Sequence, residues 1–542
     1  MRARYPDHHG FIERDGVKVG YEVYGDAERA LLFMPTWTMV TSRVWKAQIP
    51  YFARRFRVIT FDARGNGRSD RVTDPAPHDD VIHGENDRLV SAEAARALAA
   101  ATGGRLVLMA GSGHCPNGRS PVKTNLVLRD FLDPQPPVQR RARPKRALYL
   151  SSPIGLGHAR RDLAIARALR ERHPDLHIDW LAQDPVTRVL QAEGETIHPA
   201  SAHLASESAH IESESAEHDL HCLWAWRRMD EILVSNFMVL HDLVEREDYD
   251  LWIGDEAWEL DYFLHENPHL KGAPYCWLTD FVGWIPMPDG GEREAALAAD
   301  YNTEMIEHIA ASPRLRDHAI FVGEPDDTVP HAFGPGLPAI REWTQEHYQF
   351  AGYITGFDPG EFADVAAVRA ELGYRPDEKV CIATVGGSGV GTHLLRRVID
   401  AFPDAKRAVP ALRMIVMCGP RIDPSSLPYA EGLEVRSYVH NLYRHLAACD
   451  LAVVQGGLTT AMELTANQRP FIYVPLRHHF EQNFHVRHRL ERYRAGRCLT
   501  FDECTCEGLA EAIAEEIGRD VAYAPVAPGG AQHAARMIAE LL

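Results

Sequence analysis

The sequence lacks the features of membrane and secreted proteins. No apolar run approaches the roughly 18 residues of a membrane-spanning helix, and the first residues, Met-Arg-Ala-Arg-Tyr-Pro, contain no apolar signal core. The nine cysteines are scattered without the spacing of metal ligands, and only Cys504 and Cys506 lie close together. We therefore expect a cytoplasmic protein whose thiols are reduced.

Positive charge is scarce relative to negative charge. The 58 Lys and Arg residues face 76 Asp and Glu residues, which gives a net charge of −18 at pH 7. This balance disfavours non-specific binding of nucleic acid and of anionic membranes. The 542 residues are also too many for a single core, so we expect about two to four domains.

A proline-rich, basic stretch divides the chain. Residues 134–146 read Pro-Gln-Pro-Pro-Val-Gln-Arg-Arg-Ala-Arg-Pro-Lys-Arg, which is typical of an extended, solvated linker. They separate a first domain, 1–133, from a longer second part. A local nucleic-acid patch is the alternative reading of the basic run, but the acidic balance of the whole chain favours a spacer.

Beyond the linker, strands alternate with helical segments. This alternation predicts parallel sheets covered by helices, an α/β fold, which we divide into domains at 147–360 and 361–542. The predicted strands after the linker are 147–152, 177–182, 250–254, 273–278, 318–323, 349–353, 380–385, 412–418, 433–436, 451–455 and 470–474.

A glycine turn follows the first of these strands. The sequence Pro-Ile-Gly-Leu-Gly-His ends at His158, which we place at a helix N-terminus on the edge where open α/β sheets bind ligands. Because a helix N-terminus disfavours imidazolium, we expect a neutral ring that accepts a proton, a catalytic base. Asp255, Glu256 and Asp280 end neighbouring strands, and we choose Asp255 to orient the ring. The alternatives are a structural histidine, since the chain has 28, and carboxylates that only cap helices.

Two further glycine turns predict a diphosphate site. One comprises Gly386, Gly387, Ser388 and Gly389, and alone it is a weak signal, because many such loops only turn the chain.

The second turn is more informative. Gly456 and Gly457 expose the backbone, and Thr459 and Thr460 add hydroxyl groups at a helix N-terminus, which favours a phosphate. Glu463 lies one turn further on the same face, where its carboxylate can accept two ribose hydroxyls. The two turns together predict a nucleotide-sugar site.

Two other features receive no catalytic role. The segment 201–221 carries four histidines whose spacing fits no usual metal site, and we interpret it as a mobile polar loop over the cleft. Four tryptophans in the first half could line an acceptor groove, but aromatic residues more often belong to the core. They are Trp224, Trp226, Trp258 and Trp284.

The first domain resembles the α/β-hydrolase family over residues 10–133. The turn Asp-Ala-Arg-Gly-Asn-Gly-Arg-Ser-Asp at 62–70 follows a predicted strand, as in that family. The resemblance implies that Asp87 is the triad acid and His114 the triad base. It also implies that the turn around Thr36 and Trp37 is the oxyanion-hole loop.

The nucleophile of that family is missing. Only residues 71–79 lie where its Gly-x-Ser-x-Gly elbow and several further elements should be. We therefore interpret this domain as a remnant for docking or regulation. The alternative is a hydrolase that recruits Ser69 or Ser112. The truncated sheet has an edge, which we expect a partner chain or the following domain to cover.

Residues 147–542 resemble glycosyltransferases with two Rossmann-like domains, the GT-B type. They are most similar to the peptidoglycan N-acetylglucosaminyltransferase family. The resemblance implies that His158 is the general base and that residues 456–463 bind the donor diphosphate and ribose. It further implies that the backbone at Val439 meets the base of the nucleotide and that Glu481 and Gln482 contact the sugar.

The expected activity is an inverting transfer from a nucleotide-diphosphate sugar to a hydroxyl of a small-molecule or lipid-linked acceptor. A UDP-sugar is the expected donor by family habit. We expect no cofactor and no metal, because neither glycine turn carries an Asp-x-Asp pair. An epimerase of the same fold and a non-catalytic nucleotide-sugar sensor remain alternatives.

Overall fold

The computed structural model describes residues 1–14, 16–34, 40–63, 65–70, 82–102, 106–132, 143–387 and 389–542. Thr36, Trp37, Ser388 and most of the predicted linker lie outside the described residues. The chain divides into two compact units. Unit 1 comprises 1–141, 203–205 and 230–247, and unit 2 comprises 142–202, 206–229 and 248–542. No helix in the described part is long and apolar enough to cross a membrane.

Unit 1 contains a four-stranded sheet and a separate parallel pair of strands. The sheet has the order β1-β2-β4-β3, in which only β3 and β4 are parallel, and the pair is β5-β6. The elements are β1 (His8–Arg14), β2 (Val17–Tyr24), β3 (Ala30–Phe33), α1 (Ile49–Phe52), β4 (Arg57–Phe61), β5 (Ile82–Gly84), α2 (Ala92–Thr102), β6 (Val107–Met109), α3 (Pro116–Arg119) and α4 (Pro121–Leu132).

The first half of unit 2 is built on a parallel seven-stranded sheet. Its order is β13-β12-β11-β10-β7-β8-β9. Along this stretch of the chain, which also includes helix α9 of unit 1, the elements are β7 (Arg146–Ser151), α5 (Leu156–Arg172), β8 (His177–Leu181), α6 (Val186–Ala192), β9 (Thr196–Ile197), α7 (Glu207–Glu214), α8 (Cys222–Arg227), α9 (Asp230–Val244), β10 (Leu251–Asp255), α10 (Trp258–Glu266), β11 (Tyr275–Thr279), α11 (Gly291–Ala311), β12 (His318–Phe321), α12 (Ile340–His347) and β13 (Gln349–Phe350).

Helix α9 belongs to unit 1, although the chain reaches it from unit 2. It packs on α1 and α4, and its carboxylates pair with arginines of that unit: Glu231 with Arg43 at 2.5 Å and Asp242 with Arg55 at 2.6 Å. The predicted domain boundaries, 1–133 and 147–360, placed α9 in the second domain, whereas the structure places it in unit 1. The expected cover for the truncated sheet edge stays a prediction.

The second half of unit 2 is built on a parallel six-stranded sheet of order β16-β15-β14-β17-β18-β19. Its elements are α13 (Val365–Glu371), β14 (Lys379–Thr384), α14 (Thr392–Ala408), β15 (Leu412–Met417), β16 (Glu434–Arg436), α15 (Leu442–Ala448), β17 (Leu451–Val454), α16 (Leu458–Ala466), β18 (Phe471–Tyr473), α17 (Arg487–Tyr493), β19 (Arg497–Cys498), α18 (Cys506–Glu516) and α19 (Gly530–Ala539).

Both sheets are wound outward from their first strand, β7 or β14, and this is the arrangement of a doubly wound fold. The strands are buried on both faces; every residue of β10 and β17 is buried, which explains their continuous apolar runs. The last helix, α19, packs against α5 of the first half. The predicted α/β fold with two Rossmann-like parallel sheets is therefore confirmed, whereas the hydrolase-like character of unit 1 stays a prediction.

Candidate functional site

A cleft of about 240 Å³ lies within unit 2, at the glycine turns that follow β7, β14 and β17. It is lined by both halves of the unit, which places it where doubly wound sheets bind ligands. The predicted catalytic and donor-binding residues that line it are His158, Gly386, Gly387, Val439, Gly457, Thr459, Thr460, Glu463, Glu481 and Gln482. Asp255, Gly389 and Gly456 are not among the lining residues, and Ser388 lies outside the described part.

The glycines allow the turns of the two halves to meet. A methyl group on Gly157, in the first turn of α5, would overlap the side chain of Thr459 at the start of α16. A methyl group on Gly387 would lie 2.7 Å from Leu156 Cγ. Larger residues at these positions would push the two helix N-termini apart.

His158 sits at the third position of α5 and is held by Asp255, the last residue of β10. Its Nδ1 lies 3.0 Å from Asp255 Oδ2, and its Nε2 lies 3.9 Å from Glu256 Oε2. Strands β7 and β10 are neighbours in the sheet, so their carboxyl ends bring the two residues together. The structure thus joins the predicted base and its orienting carboxylate.

A buried arginine completes this cluster. Arg161 Nε donates to Asp255 Oδ2 at 2.8 Å, and its terminal nitrogens pair with Asp255 Oδ1 and Asp280 Oδ2. Arg161 Nη2 also lies 2.8 Å from His158 Nδ1. Burial raises the pKa of Asp255, but the Arg161 guanidinium and the His158 ring outweigh it and hold that pKa well below its usual range.

The pKa of His158 differs from the expectation that the helix N-terminus keeps it low. Burial and the Arg161 guanidinium do lower this pKa, but the carboxylates of Asp255 and Glu256 outweigh them and raise it above its ordinary value of 6.5. Sequence reasoning weighed only the helix dipole. The ring is therefore a stronger base than expected and is protonated over a wider pH range.

Glu256 is the carboxyl group beside the free edge of the imidazole. Its Oε1 accepts from Thr279 Oγ1 and from Asp280 N, both at 3.1 Å. Burial, followed by the charge of Asp280, raises the pKa of Glu256 to about 8. Its backbone is left-handed, with φ of 47°, a conformation unusual for a glutamate and characteristic of functional sites.

Glu463 and Arg160 form the opposite, donor-side end of the cleft. Glu463 is only 4% exposed, and within the described residues neither its Oε1 nor Arg160 Nη1 has a hydrogen-bond partner. These two atoms lie 3.8 Å apart, and both residues line the cleft. Burial raises the pKa of Glu463. A ligand that both donates and accepts hydrogen bonds would satisfy both groups.

Gln455 forms hydrogen bonds that stabilise the glycine turn after β14, which includes Gly386 and Gly387. With its amide oriented by its partners, the side-chain nitrogen donates to Val385 O at 2.9 Å and to Val390 O at 2.8 Å. Gly389 lies against Glu212, whose Cδ would be 3.0 Å from an added methyl group. Gly456, with φ of 94°, lets the chain turn from β17 into α16. Gln455, Gly389 and Gly456 therefore support the conformation of the glycine turns.

The predicted sugar-contacting pair lies in a π-helical turn, Glu481–Val486, that precedes α17. Burial, followed by the charge of Asp280, raises the pKa of Glu481 to about 8. Gln482 Oε1 accepts from Leu476 N at 2.9 Å, which fixes the loop after β18. Such turns are frequent at functional sites because they redirect the side chains that follow.

The histidine-rich segment 201–221 is not the polar loop that we expected. It contains α7, and the rings of two buried histidines bond to backbone carbonyls: His210 Nε2 to Ala225 O at 2.8 Å and His218 Nε2 to Val474 O at 3.0 Å. His218 thereby ties this segment to the second half of unit 2.

Within the part of the chain that the structure describes, three groups of side chains hold possible metal ligands within 4.8 Å of one another. They are Asp219, His221 and His478; His158, Asp255 and Glu256; and His241, Asp242 and Glu245. In the second group, the Arg161 guanidinium already pairs with Asp255 and supplies the positive charge that a metal ion would otherwise provide. The predicted metal independence remains a prediction.

Sequence reasoning missed Arg160, Arg161 and the contact between Glu256 and His158. The signal for the arginines was their place in the first turns of α5, directly after the glycine turn. Glu256 was named as a strand-end carboxylate but was given no role. Its contact with His158 depends on its left-handed backbone, which the sequence does not reveal.

Unit 1 holds the second predicted pair. His114 Nδ1 lies 2.9 Å from Asp87 Oδ2, and Asp87 Oδ1 also accepts from the backbone N–H groups of Leu89 and Val90. Ser69, one candidate nucleophile, is buried; its hydroxyl donates to Asp62 O at 2.8 Å and accepts from Gly20 N at 2.9 Å. These bonds give Ser69 a structural function.

Comparison with known proteins adds evidence on the second half. Residues 381–542 match the family described as glycosyltransferase family 28 C-terminal domain. An uncharacterized glycosyltransferase of Methanopyrus kandleri is 29% identical over 194 residues, which are 36% of this chain and 54% of that protein. A UDP-N-acetylglucosamine--N-acetylmuramyl-(pentapeptide) pyrophosphoryl-undecaprenol N-acetylglucosamine transferase of Alkaliphilus oremlandii is 30% identical over 130 residues, 23% of this chain and 35% of that protein. The chain thus spans about half or less of these relatives' lengths.

Two solved structures are similar at low identity. The spinosyn rhamnosyltransferase SpnG complexed with thymidine diphosphate is 15% identical, with a TM-score of 0.45, over 73% of this chain and 95% of that chain. The glycosyltransferase SnogD from Streptomyces nogalater is 14% identical, with a TM-score of 0.43, over 74% and 100%. The hydrolase resemblance of residues 10–133 stays a prediction. Residues 381–542 are therefore similar to the glycosyltransferase family 28 C-terminal domain, and both curated relatives are named as glycosyltransferases, in agreement with the resemblance seen in the sequence.

Proposed function

We propose that this chain is an inverting glycosyltransferase that transfers a sugar from a nucleotide diphosphate to an acceptor hydroxyl. The observation that carries the proposal is the position of His158, which is held by Asp255 and lines the same cleft as the N-terminus of α16 and the buried carboxyl group of Glu463. The cleft therefore contains a candidate base, a helix N-terminus suited to an anion, and a carboxyl group that can accept hydrogen bonds from ribose hydroxyls.

The proposed base is neutral His158 with its proton on Nδ1. Two contacts compete for this nitrogen, because it can either donate to Asp255 or accept from Arg161. Donation is favoured, since Asp255 is ionised and Arg161 Nη2 already has Asp255 Oδ1 as its acceptor. Nε2 then keeps its lone pair for a substrate proton.

In the proposed step, the acceptor oxygen attacks the anomeric carbon of the sugar from the face opposite the diphosphate. Its proton passes to His158 Nε2, and the electrons of the breaking carbon–oxygen bond go to the diphosphate oxygen. A single displacement of this kind inverts the anomeric centre. The α16 dipole and the amides at Gly386, Gly387 and Thr459 would stabilise the leaving diphosphate.

Glu463 and Arg160 are the proposed ribose contacts. A ribose hydroxyl between them can donate to the carboxylate and accept from the guanidinium, which satisfies both buried atoms. The name of the Alkaliphilus oremlandii relative specifies UDP-N-acetylglucosamine, which supports a UDP-sugar as the donor.

The test is a thermal-shift screen of UDP-, TDP- and GDP-sugars, because a ligand that binds only the folded state raises the melting temperature. We expect a shift with UDP-sugars, and we expect Glu463→Ala to weaken UDP binding by about 10- to 100-fold through lost charged hydrogen bonds. Glu511→Ala, an exposed change in the same half, is the control. No shift with any nucleotide sugar, or equal affinities of the two variants, would contradict the proposal.

Product analysis separates transfer from its alternatives. Transfer requires an acceptor and should continue after treatment with a chelator, since the proposal places no metal on the diphosphate. Formation of an epimeric donor without acceptor would instead indicate an epimerase. Binding without turnover across a broad acceptor panel would indicate a sensor.

A further inference from the structure

Five of the aromatic residues that line the cleft define a part of it that we call the aromatic end. It is formed by Trp226, Trp258, Phe281, Trp284 and Phe480, all of which line the cleft. The ring centroids of Trp226 lie 5.2 Å from those of both Trp258 and Trp284, and the latter two lie 5.7 Å apart. Sequence reasoning gave these tryptophans no role.

Both halves of unit 2 contribute to the aromatic end. Phe480, from the loop after β18, lies 5.2 Å from Trp284 and 5.7 Å from Phe281, measured between ring centroids. Phe281, Trp284 and Phe480 are buried in a core cluster, whereas Trp226 and Trp258, which pack against it, are half-buried. Such a wall offers stacking surface to a flat, apolar group.

The charges around the cleft disfavour a second anion at this end. Among the described lining residues, four carry carboxyl groups, and Arg160 is the one lysine or arginine. Arg160 lies beside Glu463 at the donor end, with its guanidinium 4.8 Å above the Tyr443 ring. Arg161, behind His158, is already paired with Asp255 and Asp280. The four carboxyl residues are Glu256, Asp280, Glu463 and Glu481.

One of these carboxyl groups is suited to an uncharged ligand. Burial, followed by the charge of Asp280, raises the pKa of Glu481 to about 8. In its neutral form this carboxyl group can donate a hydrogen bond to a neutral oxygen. A second bound anion would find no lysine or arginine besides Arg160 among the described lining residues.

We propose that the aromatic end is the acceptor site and that the acceptor is an uncharged hydroxyl compound with a flat, apolar ring. This inference rests on the proposed function and deepens it, because the sequence left open a small-molecule or a lipid-linked acceptor. The aromatic wall and the missing cation favour the small molecule over a lipid-linked diphosphate. His158 lies in the same cleft, so a ring hydroxyl can approach its Nε2.

The experiment compares two probes in the presence of UDP: 2-naphthol, an uncharged flat-ring alcohol, and farnesyl diphosphate, an anionic lipid. Binding is followed by calorimetry. We expect 2-naphthol to bind more tightly, and we expect Trp226→Ala to weaken it at least about tenfold, since the ring loses its stacking partner. Trp224→Ala on the same helix is the matched control, because Trp224 is not among the lining residues and instead packs under Arg293.

Two further measurements keep the test decisive. Trp226→Phe should retain most of the 2-naphthol affinity, and UDP binding to each variant should equal that of the unmodified protein, which shows that the fold is intact. Tighter binding of farnesyl diphosphate, or equal losses in the Trp226 and Trp224 variants, would overturn the inference. If UDP-sugars bind and are transferred only to lipid diphosphates, the inference alone fails; if no UDP-sugar binds, the proposed function fails with it.

Discussion

The two histidine–aspartate pairs that the sequence singled out as catalytic candidates, one in each unit, have nearly equal geometry. His158 Nδ1 lies 3.0 Å from Asp255 Oδ2, and His114 Nδ1 lies 2.9 Å from Asp87 Oδ2. In both pairs the carboxylate is almost fully buried, whereas the imidazole is 16% exposed in the first and 26% exposed in the second. Distance and burial therefore do not distinguish them.

The surroundings of the pairs differ. Around His158, the chain assembles two glycine turns, the N-terminus of α16 and a guanidinium that fixes Asp255. Around His114, Asp87 is held by the backbone of its own loop, and Ser69 serves the turn at 62–70. A histidine–aspartate pair supports catalysis only where it faces a group to deprotonate and a site for the developing charge.

The largest expected effect is a change in the rate of sugar transfer when each of the two histidines is replaced. His158→Ala should lower the rate of sugar transfer by about 10³- to 10⁴-fold, since it removes the proposed general base. UDP affinity should be nearly unchanged, because the donor contacts lie elsewhere. His114→Ala is the matched control and should transfer sugar at the normal rate. Normal transfer by the His158 variant would end its assignment as the base.

The next effect concerns the aspartates and the pH dependence. Because the pKa of His158 is raised and the base must be unprotonated, kcat/KM should increase with pH through a value above 6.5. Asp255→Asn removes the carboxylate that raises this pKa, so the acidic limb should move to lower pH. The rate should fall by roughly 10²-fold, since the ring tautomer is no longer fixed.

The control for this change is Asp87→Asn, which should leave both the rate of transfer and the pH profile unaltered. An acidic limb that stays in place in the Asp255 variant would show that another group titrates, and Glu256 would then be the first candidate. Profiles of kcat/KM between pH 5 and 9 measure both outcomes.

Much of the second unit could be predicted from sequence. Continuous apolar strands and glycine turns identified both sheets, and the carboxyl ends of adjacent strands brought His158 to Asp255. The pKa of His158 could not be predicted, because it depends on charges that come from separate parts of the chain. The aromatic end could not be predicted either, because only tertiary packing brings Trp226, Trp258 and Trp284 together. Helix α9 likewise reads as part of the second unit until its contacts are known.

A smaller effect is expected when a methyl group is added to a glycine near each histidine. Gly157→Ala should favour helix formation locally, yet its methyl group would overlap Thr459 and separate the turns of the two halves. Overpacking of about 1–3 kcal/mol predicts a loss of UDP affinity of about tenfold. Gly113→Ala, beside His114, is the control, because an added methyl group there meets nothing within 4 Å. Unchanged UDP affinity in the Gly157 variant would show that the turns do not need this close approach.

The smallest effect tests whether Ser69 is structural. Ser69→Ala removes the hydroxyl that joins Asp62 O to Gly20 N, so the free energy of unfolding of unit 1 should fall by about 1–3 kcal/mol. Ser91→Ala, whose exposed hydroxyl accepts a single bond of 3.3 Å, should cost less. Neither variant should change the rate at which the protein hydrolyses an activated ester. A serine-directed phosphonate should label neither Ser69 nor Ser91 in the unmodified protein. Labelling of Ser69 would mean that the His114–Asp87 pair activates a nucleophile after all, and the contrast between the two pairs would no longer hold.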